Sequence, residues 1–296
     1  MSGLKVGLNG TVLEADEAVI SVYDHGFLYG LGLFETFRTY GGQPYLLGSH
    51  MKRLNAGCKE LGIAFFMSEE EVERWVRQLL QANGLNDGYI RLTVSAGVAE
   101  LGLPSADYTE PTVLLLVKPL PAIAEEAVLR GKPLRLLNTR RNTPEGNVRF
   151  KSLHYMNNIL ARRELLSYGD DIAPGTEGLM LSRDGWLAEG IVSNLFFYRA
   201  GIVYTPDIAT GILPGVTRKR VIELAELEGL QVQEGFYTWE QLRGAEEIWM
   251  TNSIQEIVPV TTLIATDGEY IAVSGGIAGA VTRRMLAAYR NDISCT

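Results

Sequence analysis

The chain has 296 residues, of which 46% are hydrophobic and 21% are charged, a composition typical of a globular protein with a sizeable core. Its 27 Lys and Arg against 35 Asp and Glu give a net charge of −8, which argues against nucleic-acid and anionic-membrane partners. The chain has only two cysteines, Cys58 and Cys295, which are far apart, and three scattered histidines, so it has neither a disulfide framework nor a zinc pattern. It has no apolar run long enough for a membrane helix. These features predict a cytoplasmic protein.

Residues 1–118 are predicted to form an α+β domain, because strand alternation and helical apolar periodicity both occur there. An Asn-Gly dipeptide marks a hairpin turn, and a Ser68–Glu71 capping box marks a helix start. The predicted elements in chain order are a hairpin at 4–14, a glycine- and aromatic-rich loop at 19–33, strands at 34–40 and 43–46, helices at 49–61 and 68–83, and strands at 89–96 and 112–117.

Residues 119–133 have prolines near both ends and are predicted to connect two domains. Residues 134–296 then alternate many short strands with few helices, which favours a mixed, barrel-like C-terminal domain. The predicted elements are strands at 134–138, 177–182, 194–198, 202–205, 230–234 and 247–251, and helices ending near 167, at 216–228 and at 277–289.

Lys151 follows a polar loop broken by proline and precedes an apolar helical run. A lysine that lines a cavity at such a junction is desolvated, so its pKa falls and its amine becomes a nucleophile and general base. Taken alone, however, a lysine is most often a solvated surface group. Tyr155, four residues later, is expected on the same face of the helix, either as a ligand contact or as a core tyrosine.

Three downstream stretches suit an anionic, ring-shaped ligand. Residues 211–218, G-I-L-P-G-V-T-R, put a glycine-rich turn ahead of a helix, an arrangement that binds anions through backbone N–H groups; the plain alternative is an ordinary Gly-Pro turn. Glu189 is an acid among apolar residues, which must be paired if it is buried and is otherwise a solvated glutamate. Three polar side chains follow an apolar strand at Thr251, Asn252 and Ser253. They are expected either to contact a ligand or to form a turn that satisfies its own polar groups.

Together these groups are those that pyridoxal phosphate requires, namely a lysine for its aldehyde, an acid for its pyridine nitrogen and donors for its phosphate. The chain resembles the class IV, or branched-chain type, pyridoxal phosphate enzymes over nearly its whole length. The motifs that carry the resemblance are F-E-T-F-R at 34–38, H-x-x-R-L at 50–54, Lys151 with its loop, A-E-G-x-V-S-N at 188–194 and G-x-L-P-G-V-T-R at 211–218.

The resemblance implies a fold type IV, α/β enzyme with an N-terminal α/β sandwich, a C-terminal barrel-like domain and the cofactor between them, usually in a homodimer whose partner loop reaches the site. It implies that Lys151 bonds to the cofactor aldehyde, that Glu189 pairs with the pyridine nitrogen and that Tyr155 contacts the phenolate oxygen. The implied phosphate contacts are Arg53, Val216 and Thr217, joined by Thr251, Asn252 or Ser253.

Within this family, residues 96–102 lack the arginine and histidine expected of a D-amino-acid aminotransferase. A branched-chain aminotransferase stays an alternative, because Tyr89-Ile90-Arg91 is shared although F-E-T-F-R replaces F-E-G-I-R. The F-E-T-F-R strand and the R-R-N-T-P-E-G loop look most like 4-amino-4-deoxychorismate lyases, which form 4-aminobenzoate and pyruvate in folate biosynthesis. That resemblance makes Lys151 and Thr36 the predicted catalytic residues. Asn252, Arg91 and Tyr29 are the predicted contacts of a small-molecule substrate.

Overall fold

The computed structural model describes residues 3–121, 125–169 and 172–295. They form two compact units. The N-terminal unit comprises residues 3–121 and also Phe150–His154, and the C-terminal unit comprises residues 125–149 and 155–295. Lys151, which lies in the sequence-predicted C-terminal domain 134–296, therefore groups with the N-terminal unit.

The N-terminal unit is an antiparallel six-stranded sheet with the strand order β2-β1-β6-β5-β3-β4. Helices α2 and α3 pack on one face, where apolar side chains from both helices and from alternating strand positions form one core. The elements are β1 (Lys5–Leu8), β2 (Thr11–Glu14), α1 (His25–Tyr29), β3 (Gly32–Tyr40), β4 (Gln43–Pro44), α2 (Leu47–Glu60), α3 (Glu69–Ala82), β5 (Tyr89–Ser95) and β6 (Thr112–Lys118).

The predicted hairpin and the Ser68–Glu71 capping box of α3 are both confirmed. The prediction that residues 19–33 form only a loop is wrong, because the short helix α1 lies within them. The Asp24 carboxylate caps α1 by accepting a hydrogen bond from the Gly26 N–H at 2.7 Å. The buried His25 ring then ties α1 to the rest of the unit through the Tyr108 hydroxyl, 2.7 Å from Nδ1.

The C-terminal unit is built on a nine-stranded mixed sheet. Its strands are β7 (Lys132–Leu136), β8 (Glu177–Leu181), β9 (Leu187–Gly190), β10 (Asn194–Arg199), β11 (Ile202–Pro206), β12 (Gln231–Gly235), β13 (Glu247–Asn252), β14 (Glu256–Ile264) and β15 (Tyr270–Ala272). Its helices are α4 (Glu125–Arg130), α5 (Met156–Ser167), α6 (Val216–Leu227), α7 (Trp239–Arg243) and α8 (Ala280–Cys295).

Six of these strands close into a barrel. The path runs β10-β13-β14-β7-β8-β9, and β9 returns to β10 where Glu189 lies opposite Asn194. The pairings of β7 with β14 and with β8 are parallel and the others are antiparallel, so the barrel is mixed. Its apolar interior is drawn from nearly every strand. The predicted α/β class with a barrel-like C-terminal domain is therefore confirmed.

Several local predictions for the second half of the chain were incomplete. Strands β9, β14 and β15 and helix α7 were missed, and α4 lies within the predicted connection 119–133. The last helix begins and ends later than the predicted 277–289. In the three described stretches of the chain, no helix combines the length and the apolarity needed to span a bilayer.

Candidate active site

Lys151 lies on a short extended segment that pairs with β3 in the N-terminal unit. The Phe34 N–H donates to the Lys151 carbonyl at 2.9 Å, and the Leu153 N–H donates to the Gly32 carbonyl at 3.0 Å. The half-buried Lys151 side chain places Nζ 4.7 Å from the centroid of the Phe34 ring, a cation–π contact. The backbone around Lys151 is thus held against β3 by hydrogen bonds at Lys151 and at Leu153.

The structure corrects the predicted relation between Lys151 and Tyr155. Helix α5 begins only at Met156, with Tyr155 as its N-cap residue, so Lys151 and Tyr155 do not share a helix face. Tyr155 lies in the C-terminal unit and is half-buried. Its predicted contact with the cofactor therefore has no support from helical spacing.

A buried acid anchors the predicted phosphate residue Arg53. Strand alternation turns Glu35 of β3 toward α2, where its carboxylate accepts hydrogen bonds from Arg53 Nε at 2.7 Å and Nη2 at 2.6 Å. His50 Nδ1 lies 2.6 Å from the same carboxylate. Burial alone would raise the pKa of Glu35, but the charges and hydrogen bonds of Arg53 and His50 lower it to about 2. Burial, in turn, lowers the pKa of His50 below its ordinary value.

The opposite face of the same sheet carries the predicted catalytic residue Thr36 and the predicted substrate contact Arg91. Thr36 on β3 and Arg91 on β5 are cross-strand neighbours, so their side chains lie on one face. The Arg91 guanidinium stacks 3.6 Å from the centroid of the Phe34 ring, which Lys151 also contacts. Arg91 and Lys151 therefore contact one aromatic side chain, and Thr36 lies next to Arg91 on the same face.

Tyr29 ends helix α1 and is partly exposed. Its hydroxyl accepts a hydrogen bond from the Gly102 N–H at 2.9 Å. Its carbonyl oxygen lies 3.2 Å from Nε2 of His154, three residues beyond Lys151. The backbone at Tyr29 is thus joined to the segment that carries the lysine.

Glu189 is the buried acid of the C-terminal unit, with 4% of its surface exposed. Its Oε1 accepts from Arg141 Nε at 2.7 Å, and its Oε2 accepts from Asn194 Nδ2 at 3.2 Å and from the Leu213 N–H at 3.0 Å. Of the two alternatives left by the sequence, a paired acid or a solvated one, the structure has the paired acid. The Arg141 partner was not predicted, and the need of a buried carboxylate for a cation was the only signal for it.

The turn before α6 leads to a helix end suited to an anion. Gly211 has a φ of +87°, which favours glycine, and Gly215 is an N-cap without any side-chain capping bond in the described part of the chain. A Cβ on Gly215 would clash with Asn194 Oδ1. The Thr217 hydroxyl lies 3.1 Å from the Ser253 hydroxyl. The first-turn N–H groups of α6 and two hydroxyls therefore lie close together.

The strand end at 251–253 divides into two kinds of residue. Thr251 is 1% exposed, and its Oγ1 has no hydrogen-bond partner within the described ranges, which is unusual for a buried polar atom. Asn252 instead caps a local turn, because its Oδ1 accepts from the N–H groups of Ile254 at 3.0 Å and Gln255 at 2.8 Å. Thr251 therefore carries a buried hydroxyl whose hydrogen-bonding capacity is left for a ligand.

Comparison with known proteins shows the family to which the chain belongs. The family model described as amino-transferase class IV matches residues 32–263. The aminodeoxychorismate lyase of Bacillus subtilis (strain 168) is 42% identical over 288 residues, covering 97% of this chain and 94% of the relative. A putative branched-chain-amino-acid aminotransferase of Methanocaldococcus jannaschii is 34% identical over 290 residues, covering 97% and 96%.

Among solved structures, the branched-chain amino acid aminotransferase of Escherichia coli superposes with a TM-score of 0.85. It is 28% identical to this chain, and the match covers 97% of this chain and 94% of that one.

The residues of this chain fit a phosphorylated pyridine. An uncapped helix N-terminus and the unpartnered Thr251 hydroxyl suit a phosphate. A buried carboxylate, Glu189, suits a pyridine nitrogen that carries a proton. Lys151, whose backbone is bonded to β3 and whose amine lies against Phe34, suits an aldehyde.

The Glu35 cluster predicts a pH effect on stability. Because the folded pKa of Glu35 is about 2 against an ordinary 4.5, its ionised form stabilises the fold above pH ~4.5, and this contribution of about 3 kcal/mol is lost as the pH falls through about 2. Urea unfolding of wild type between pH 5 and 2 should show that loss, and Glu35→Gln should flatten it. Glu60→Gln, at an exposed position of α2, is the control and should keep the wild-type pH slope. Equal slopes for all three proteins would contradict the assignment.

Removal of Arg141 should destabilise the fold, because the Glu189 carboxylate would then remain buried without its ion-pair partner. We expect Arg141→Met to lower the free energy of unfolding by about 3 kcal/mol. Arg77→Met, at an exposed position of α3 in the N-terminal unit, is the matched control and should change it by about 0.5 kcal/mol or less. Urea denaturation followed by circular dichroism measures both, and an equal, small effect at the two sites would refute the role given to Arg141.

Proposed function

The chain belongs to the class IV aminotransferase family, whose enzymes use pyridoxal 5'-phosphate, and from that premise we propose that it is a 4-amino-4-deoxychorismate lyase. The reaction would release pyruvate and give 4-aminobenzoate for folate synthesis in the cytosol. The observation that carries the proposal is the 42% identity to a lyase over 97% of the chain, against 34% to a putative aminotransferase. The F-E-T-F-R strand and the R-R-N-T-P-E-G loop support the same choice.

Each part of the cofactor has a candidate partner in this chain. Lys151 Nζ would bond to the aldehyde, Glu189 would hold the pyridine nitrogen, and Tyr155 would contact the phenolate oxygen. The phosphate would bind to the uncapped first turn of α6 with the help of nearby side chains. These phosphate residues are Arg53, Val216, Thr217, Thr251, Asn252 and Ser253.

When bound, pyridoxal phosphate draws electrons away from the substrate carbon next to the amine, so that a proton can leave that carbon. Nζ of Lys151, freed when the substrate amine takes its place on the aldehyde carbon, would take this proton and later return it to the enolpyruvyl leaving group, as one base reused as an acid. The carbon–hydrogen and carbon–oxygen bonds break, and the ring becomes aromatic without net oxidation. The Phe34 ring lies beside Nζ, which is 4.7 Å from its centroid, and offers a cation–π contact to the amine once it has taken the proton.

The substrate side is assigned to residues around the same aromatic ring. The Thr36 hydroxyl, across from Arg91 in the sheet, would orient the polar groups on the ring of the substrate. Arg91 would bind a substrate carboxylate by its guanidinium fork. Asn252 and Tyr29 are further contacts, although the Asn252 side chain also caps its own turn.

A branched-chain amino-acid aminotransferase is the second candidate. It is favoured by the Tyr89-Ile90-Arg91 segment and by the 34% identical relative. A D-amino-acid aminotransferase ranks below it, because residues 96–102 contain neither an arginine nor a histidine. Net transamination needs a second keto-acid substrate and no leaving group, so product analysis separates the candidates.

Purified protein incubated with aminodeoxychorismate should release fluorescent 4-aminobenzoate and an equal amount of pyruvate. Incubation with branched-chain amino acids and 2-oxoglutarate should give a rate lower by at least tenfold. Lys151→Ala should lose the first activity by at least a thousandfold, together with the visible absorbance of the lysine-bound cofactor, because it lacks both the attachment point and the base.

Transamination as the dominant activity would overturn the lyase assignment and leave the family assignment intact. An unchanged spectrum and rate in Lys151→Ala would instead remove Lys151 from the mechanism.

We also propose that the protein is a homodimer. Large contiguous apolar surfaces on soluble proteins mark interfaces, and two sets of exposed apolar side chains stand out. One set surrounds α1 in the N-terminal unit, and the other forms a helical stripe on α5 in the C-terminal unit. The residues are Val19, Val22, Phe27, Leu101 and Leu103 in the first set, and Met156, Ile159, Leu160 and Leu166 in the second.

Light scattering during gel filtration should give a mass twice the 32.6 kDa of one chain. Leu103→Glu and Leu160→Glu should each shift the protein toward the monomer, because a buried carboxylate opposes association. Leu227→Glu, an exposed leucine in neither set, is the control and should leave the dimer intact. A wild-type monomer at micromolar concentration would refute the dimer.

A further inference from the structure

A closed circuit of hydrogen bonds in the C-terminal unit begins and ends on the turn before α6. Arg149 donates from Nε to the Gly211 carbonyl at 2.6 Å, from Nη1 to Asn142 Oδ1 at 3.1 Å and from Nη2 to the Asn142 carbonyl. Asn142 Oδ1 also accepts from Arg141 Nη1 at 3.2 Å. Arg141 binds Glu189, which accepts from the Leu213 N–H.

Arg149 is costly to bury. Only 7% of its surface is exposed, and each of its three acceptors on Gly211 and Asn142 is uncharged. Burial and the nearby charge of Arg141 lower the pKa of Arg149 to about 10, so the side chain still carries its charge at neutral pH. A buried cation bound to neutral oxygens contributes little net stability, which points to a role in placing its acceptors.

The acceptor of greatest interest is the Gly211 carbonyl. The turn 211–215 presents the uncapped first turn of α6, and its left-handed glycine needs a defined conformation. Among the described residues, three side chains bond to the backbone of Gly211 and Leu213 in this turn: Asn194 donates to the Leu213 carbonyl at 2.9 Å, Glu189 accepts from the Leu213 N–H, and Arg149 donates to the Gly211 carbonyl. Of the three, only Arg149 comes from the segment that leads into Lys151.

We infer that Arg149 is a positioning residue for the phosphate end of the cofactor, acting through the Gly211 carbonyl on the turn 211–215. The inference rests on the proposed function only in needing pyridoxal phosphate to bind, and it holds for a lyase and for an aminotransferase alike. Arg149 has no assigned contact with the cofactor itself. Its loss should therefore weaken binding of the phosphate and leave binding of the ring and aldehyde unchanged.

Pyridoxal, which has the same ring and aldehyde but no phosphate, separates this role from a general structural one. Dissociation constants of pyridoxal phosphate and of pyridoxal are measured by absorbance titration of the apoenzyme. In Arg149→Met the affinity for pyridoxal phosphate should fall on the order of tenfold or more, as expected for loss of a group that orients a ligand contact. The affinity for pyridoxal should change less than twofold.

Arg149→Lys, which keeps the charge on a single donor nitrogen, should recover part of the lost affinity, and it also serves if Arg149→Met does not fold. Arg77→Met, at an exposed position of α3, is the surface control and should bind both ligands as wild type does. Equal losses for both ligands, or no loss for either, would overturn the inference. Failure of wild type to bind pyridoxal phosphate would overturn the proposed function instead.

Discussion

The buried carboxylate of Glu189 is the constraint on which the candidate site of the C-terminal unit depends. A carboxylate with 4% exposure is tolerated only when cations and hydrogen-bond donors surround it. Here the donors come from three separate stretches, through Arg141 in the loop before Lys151, Asn194 at the start of β10, and the Leu213 backbone ahead of α6. One charge therefore fixes the loop, the closing strand pair of the barrel and the turn that leads to the helix end proposed to bind the phosphate.

The N-terminal unit uses the same device. Glu35 lies on β3 with its side chain buried against α2, and it accepts two hydrogen bonds from Arg53. The arginine is therefore held in place by the protein itself. On the other face of the sheet, the Phe34 ring makes cation–π contacts with Arg91 and Lys151. Local arrangements of this kind explain how a chain of net charge −8 can provide cationic groups for a phosphate and a carboxylate, because binding depends on the nearest groups rather than on the total charge.

The helix starts were predictable from the sequence because they depend on residues close together in the chain. The start of α6 at Val216 and the capping box of α3 follow from glycine, serine and glutamate at fixed spacing. Contacts between distant residues were not predictable. Arg141 pairs with an acid 48 residues away, and the segment of Lys151 pairs with β3 rather than joining α5. That pairing removed the helical relation between Lys151 and Tyr155, which the spacing of four residues had suggested.

The central claim is that Glu189 keeps a proton on the pyridine nitrogen of the bound cofactor. Nitrogen-15 NMR of the holoenzyme with ¹⁵N-labelled pyridoxal phosphate tests this claim most directly. The account predicts the chemical shift of a protonated ring nitrogen in wild type at neutral pH, and the shift of an unprotonated one in Glu189→Gln. An unprotonated nitrogen in wild type, or the same shift in both proteins, would contradict it.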